Sequence, residues 1–206
     1  MITTVPIETL VAYIVASAIF AAVPGPGVLA TIGQAVSRGA APAFSLLTGL
    51  IVGDFTYLVA AAFGLGFVAQ QYSEIFTVFR FIGAVYLVWL GWNSWRQSVG
   101  TAPQPAATKN GRTLLGGLII CLSNPKVMVF YLAFLPTFID MKTVGISQVA
   151  LLGSLNVIIS YLVIGSYILA ARSVAKTFKK PIVQQRFNRV AGGMLVTAGV
   201  AVALQS

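Results

Sequence analysis

Apolar residues come in long runs along the chain, from about Ile7 to Val36, Ala43 to Ala69, Ile75 to Trp95, Leu114 to Ile139, Val149 to Ala171 and Val190 to Leu204. Each run suits a helix crossing about 30 Å of hydrocarbon. Lipid offers backbone N–H and C=O groups no partner, so a spanning segment must satisfy them itself. Runs without strand-like alternation fit a helical bundle better than a barrel. The pattern predicts an all-α membrane protein with six transmembrane helices in one domain, 1–206. One connection is long: Gln97 to Gly111 is polar and contains Pro103 and Pro105, so 97–111 reads as a flexible loop between a first half, 1–96, and a second, 112–206.

Composition narrows the reading. Of 206 residues, 58% are apolar and 8% charged, against about 25% charged in a soluble domain. That excludes an ordinary cytoplasmic globule and a disordered tail, and six spans leave no room for a separate soluble catalytic domain. There is no histidine and one cysteine, Cys121, so a zinc site, a histidine triad and a disulfide framework all lack ingredients. Cys121 reads as a small core residue.

The 13 Lys and Arg against 4 Asp and Glu give +9. Because the basic residues sit between apolar runs, they speak for topology and anionic lipid heads rather than nucleic acid. The first, third and fifth loops hold ten of them, Arg38; Arg96, Lys109, Arg112; and Arg172, Lys176, Lys179, Lys180, Arg186, Arg189. The other side has Lys142, with Arg80 near it. The asymmetry predicts both termini outside the cytoplasm. No basic residue precedes the first apolar run and Glu8 opens it, so it reads as a retained helix rather than a cleaved signal.

Three spans per half make any repeat an inverted one. Thr56-Tyr57-Leu58-Val59 recurs as Ser160-Tyr161-Leu162-Val163, and Arg80, Gly83, Leu87 and Gly91 are echoed within one residue of register by Arg189, Gly192, Leu195 and Gly199. These echoes predict two inverted three-helix repeats.

Two spans carry interruptions. Pro24-Gly25-Pro26-Gly27 must break helix one, since proline removes a donor and clashes with the preceding turn while glycine permits unusual angles. Asn124-Pro125-Lys126 interrupts helix four. Pro26 is 12 residues from Arg38, and Asn124 is 12 from Arg112, which puts both breaks roughly 18 Å deep, near the midplane. Broken helices one and four at matching depth are the sequence pointer to a midplane site.

Asp54 reaches the same level. A carboxylate there is costly unless paired, protonated or hydrated. Three readings stand open: a structural ion pair with Lys126, a proton-coupling group, and a partner for a substrate amine. Tyr57, Asn156 and Tyr161 are further intramembrane polar groups that fit either the site or ordinary interhelical hydrogen bonds. Arg80 reads as snorkelling and Trp89, Trp92 and Trp95 as an interfacial belt. Gly49-x-x-x-Gly53 and Gly64-x-Gly66 fit close helix packing or a homodimer contact.

Taken together, Pro24-Gly25-Pro26, Gly53-Asp54, Gly83-x-x-Tyr86-Leu87-x-Trp89-Leu90-Gly91 and Asn124-Pro125-Lys126 leading to Phe134-Leu135-Pro136-x-Phe138 resemble the LysE/RhtB family of amino-acid exporters. The resemblance covers nearly the whole chain. It implies efflux of amino acids or close derivatives across the bacterial inner membrane, driven by the proton gradient, and it places Pro24, Gly25, Pro26, Asp54, Asn124, Pro125 and Lys126 on the family's signature positions. Many relatives have a polar residue such as Asn after the Pro-Gly-Pro; here it is Gly27. With no second deep carboxylate, the branch resembled is the homoserine, threonine or neutral amino-acid exporters rather than the lysine exporter.

The mechanism expected is antiport. The half-helix amino termini and Lys126 attract a substrate carboxylate, while Asp54 holds either the substrate ammonium or a proton. A passive channel would need a continuous polar lining. Neither paired carboxylates nor a metal-ligand cluster speaks for an enzyme or a cofactor.

Overall fold

The apolar runs fold as helices, and no strand occurs among the described residues of the computed structural model, which are 5–23, 25–65, 67, 73–96, 113–171, 173 and 180–204. The long loop 97–111 lies outside them. Helix α1 (Ile7–Ala22) and α2 (Pro26–Arg38) meet at 56°. Helix α3 (Ala40–Val59) continues through a π-helical turn, Ala60–Leu65, and α4 is Ser73–Arg96. Helix α5 (Thr113–Leu122) meets α6 (Pro125–Val129) at 57°, and α6 runs on through a π turn, Phe130–Phe134, and a 3-10 turn, Leu135–Thr137. Helices α7 (Ile146–Leu169) and α8 (Pro181–Leu204) complete the described chain.

The expected breaks in the first and fourth apolar segments are therefore present, with nearly equal bends. Among the described residues, Ala40–Gly64 and Ile146–Leu169 are long and apolar enough to cross a membrane, and each bent pair meets the same standard as one unit. Helices α4 and α8 have 24 residues each, a rise of about 36 Å, but both carry arginines. Helix α8 starts at Pro181, earlier than the apolar run from Val190, because proline suits a first helical position and Gln184, Gln185, Arg186 and Asn188 continue the helix with polar side chains.

Glycine fixes two features. Gly39, at φ 93°, is the single residue joining α2 to α3, a left-handed conformation that favours glycine. Glycines also let helices meet at backbone distance. Thr113 donates to Ser45 at 2.9 Å, Gly117 faces Leu46 and Leu50, Gly53 faces Cys121 and Tyr57 reaches Leu122. These contacts advance together along both helices, so α3 and α5 run parallel. Gly49 also packs onto α5, so the Gly49-x-x-x-Gly53 motif is used inside the chain and gives no argument for a homodimer. Gly64 has open space beside it and Gly66 lies outside the described residues.

The other pairs are equally regular. Phe44 meets Gly165, Thr48 meets Tyr161 and Phe55 meets Gly153, which makes α3 and α7 antiparallel. Tyr13 bonds the Leu152 carbonyl and Tyr167 the Ala22 carbonyl, so α1 runs parallel to α7. Gly91 lies against Gly192 and Val196, and Gly192 against Gly91 and Trp95, so α4 and α8 are antiparallel.

A Cβ at Gly117 would overlap the Leu46 carbonyl, a backbone atom that cannot swing aside. Gly117→Ala is expected to destabilise the fold by about 3 kcal/mol, an overpacking cost, whereas Gly64→Ala should stay within about 0.5 kcal/mol. Thermal unfolding in detergent measures both, and equal effects would refute the close α3–α5 packing.

Candidate functional site

At the first break α1 ends on Val23 and α2 is capped by Gly25, both extended, with Pro26 as the first helical residue. Pro24 lies outside the described residues. The terminal carbonyls of α1 are met from two directions. Lys126 Nζ donates to Phe20 O at 3.4 Å and Val23 O at 3.3 Å while lying 4.4 Å above the Phe20 ring, and the Tyr167 hydroxyl donates to Ala22 O at 3.0 Å. A cation suits this place because carbonyl ends carry the negative pole of the helix dipole.

The second break is built differently. Asn124 is the N-cap of α6, its Oδ1 accepting from the Lys126 amide at 3.1 Å, and Pro125 follows at the first helical position. The Tyr57 hydroxyl donates to Leu122 O at 2.7 Å. Each break thus has a terminal carbonyl closed by a tyrosine from a long unbroken helix of the other half.

Between the breaks lies a cavity of about 60 Å³, room for about four water molecules at roughly 15 Å³ each on this measure. Of the residues singled out from the sequence, Gly25, Gly27, Asp54, Lys126 and Asn156 line it. Pro26, Tyr57, Asn124, Pro125 and Tyr161 do not: Asn124 is spent on capping, Tyr57 on the Leu122 carbonyl, and Tyr161 shares a 2.8 Å hydrogen bond with Thr48. Asp54 and Lys126 face the same space, yet no ion pair of the described residues joins them. Lys126 is directed to the α1 carbonyls, and Asp54 Oδ1 accepts from Cys121 Sγ at 3.5 Å.

Sequence reasoning missed Ser17, Phe20, Cys121, Tyr131 and Ser160, which also line the cavity. Asn156 Nδ2 donates to the Tyr131 hydroxyl at 3.0 Å, and Ser160 Oγ donates to Asn156 Oδ1 at 3.3 Å. Ser17 is buried one helical turn from Tyr13. The available signal was the four-residue step: Asn156, Ser160 and Ile164 share one helix face, as do Leu50 and Asp54.

The lining has a regular numerical relation. Ala21 and Cys121 stand 100 positions apart, as do Gly27 and Val127; Leu50 and Ser160 stand 110 apart, as do Asp54 and Ile164. Tyr57 and Tyr167, which close the two breaks, are also 110 apart. Tyr57 and Tyr167 thus play the same part at the two breaks, while Tyr161, which the four-residue sequence echo sets beside Tyr57, bonds Thr48. Among the described residues no three His, Cys, Asp or Glu side chains gather as a metal-ligand set.

Comparison with known proteins adds that the model of the LysE type translocator family matches residues 18–206. An uncharacterized membrane protein of Vibrio cholerae is 31% identical over 96% of this chain and 97% of its own. The homoserine/homoserine lactone efflux protein of Salmonella typhi is 26% identical over 93% and 94% of the two chains, and the leucine efflux protein of an Enterobacter species is 27% identical over 94% and 93%. No solved structure matches the chain.

Asn124 acts locally in this geometry. Asn124→Ala should lower stability by about 1 kcal/mol and Asn124→Ser by clearly less, since serine can still cap. Unfolding midpoints in detergent decide it, and equal losses would sink the capping role.

Proposed function

The chain belongs to the LysE type translocator family, and we propose that it is a secondary active exporter of neutral amino acids or close derivatives that works by proton antiport. As a translocator it is a transporter, not an enzyme. The observation that carries the reading is a cavity, set where two broken helices meet, into which Asp54 of the first half and Lys126 of the second both face without pairing.

The amino terminus of α2 provides the place for a substrate carboxylate. Helix α2 has no side-chain cap, Gly27 and Val28 of its first turn line the cavity, and Lys126 Nζ lies within 3.7 Å of where a Gly25 Cβ would be. Backbone donors, the positive pole of the helix and an ammonium group then converge on one anion. The first amide of α6 is already taken by Asn124, so of the two half-helix amino termini only that of α2 serves.

Asp54 takes the substrate ammonium or a proton, but not both. Loaded from the cytoplasm, the substrate displaces the proton; once it leaves on the far side, a proton from outside takes its place, and the exchange makes efflux uphill. The names of the homoserine and leucine efflux relatives support amino acids as cargo. The parallel and antiparallel helix pairs, the equal bends and the paired lining positions support six spans arranged as two inverted repeats, α1 to α4 and α5 to α8. The basic loops support both termini outside the cytoplasm in a bacterial inner membrane, with anionic lipid heads against those loops.

In proteoliposomes bearing an imposed proton gradient, Asp54→Asn protein that remains monodisperse is expected to move amino acid no faster than protein-free liposomes. Undiminished uphill transport would take Asp54 out of the mechanism.

A further inference from the structure

Polar and apolar groups are mixed along the cavity lining. On α3, Leu50 and Asp54 stand one turn apart; on α7, Asn156, Ser160 and Ile164 occupy successive turns of one face. Because α3 and α7 are antiparallel and Thr48 meets Tyr161, Asp54 and Asn156 stand at one level, Leu50 and Ser160 about one turn further along, and Ile164 beyond them. Val28 is buried in the same apolar cluster as Ile164, whereas Leu50 belongs to the other cluster. Apart from Asp54 and Lys126, no charged side chain among the described residues lines the space.

Gly27 faces Leu50. A Cβ there would lie 3.0 Å from Leu50 Cδ2 and 3.2 Å from Leu50 Cδ1, tighter than ordinary contact. Leu50 has little room to retreat: it is 7% exposed, and α5 approaches so closely that a Cβ on Gly117 would fall 2.9 Å from its backbone nitrogen. With no side chain at position 27, Leu50 lies against the α2 backbone; a methyl group there would push Leu50 into the cavity of about 60 Å³.

Resting on the export reading, we propose that Gly27 and Leu50 together set the size limit for the side chain of the transported amino acid, which is neutral and aliphatic. The ammonium and carboxylate of the substrate occupy Asp54 and Lys126, so a charged side chain would find no further counter-ion among the described residues of the lining, a costly burial. An aliphatic one buries its surface against Val28, Leu50 and Ile164 and gains by it. Its length is limited by how far the Leu50 methyls project into the cavity.

Counterflow in proteoliposomes, with labelled leucine and labelled alanine measured separately, reads the limit as a ratio of rates. Gly27→Ala is expected to lower the leucine-to-alanine ratio about tenfold, the low end for one misplaced methyl-sized group in a hydrophobic pocket. Leu50→Ala should raise it, and the double variant should return it toward the starting value. Lysine and glutamate should not exchange above protein-free liposomes. An unchanged ratio in monodisperse Gly27→Ala and Leu50→Ala protein, or lysine or glutamate exchange as fast as that of leucine, overturns the proposal. Should Gly27→Ala fail to fold, Leu50→Ala and Leu50→Val carry the test, because both must shift the ratio toward leucine. If the unsubstituted protein exchanges no amino acid, the export reading fails and this proposal with it; exchange with an insensitive ratio removes the size limit alone.

Discussion

A backbone carbonyl released inside a bilayer needs a donor, and the architecture is organised around that demand. Breaking helix one frees the end of α1, and breaking helix four frees the end of α5; neither end can be left bare where no water bonds it. Two tyrosines from the long helices close Ala22 and Leu122, while Lys126 spans the gap to Phe20 and Val23. The lysine thereby fastens the second half of the chain to the broken end of the first. Its charge is tolerated at depth because three electron-rich partners, two carbonyls and an aromatic face, surround it.

Close packing makes the arrangement specific. Glycines at 49, 53 and 117 remove the side chains that would hold α3 off α5, and this contact brings the Cys121 thiol onto the Asp54 carboxylate. The numerical relation of the lining residues differs by ten positions between the broken and the unbroken helices. Loops and turns of unequal length in the two halves absorb that offset. Charge does not follow the relation: Asp54 is matched by Ile164, and Lys126 by Pro26. The positions so matched carry different chemistry.

Much of the frame was legible in the residues. Proline within an apolar run calls for a break, and both segments are broken, at 56° and 57°. Asp54 stood out because an acid in such surroundings is rare. The division of labour among the polar groups was not legible. Asn124 and Lys126 are two residues apart, yet one caps its own helix and the other crosses to a different helix, a choice made by tertiary contact. Tyr161 and Ser160 are adjacent, and helical geometry turns only the serine inward. The four-residue echo sets Tyr57 beside Tyr161, whereas the tyrosine that plays the same part at the other break is Tyr167.

Gly39 ties α2 to α3 with a single residue. A connection that short has no slack, so the two helices form an elbow whose arms cannot slide past one another. One arm begins at the uncapped turn beside Lys126, and the other carries Asp54, the only acid among the described residues of the cavity lining. The break and the acid are thus joined through one residue and the lengths of two helices.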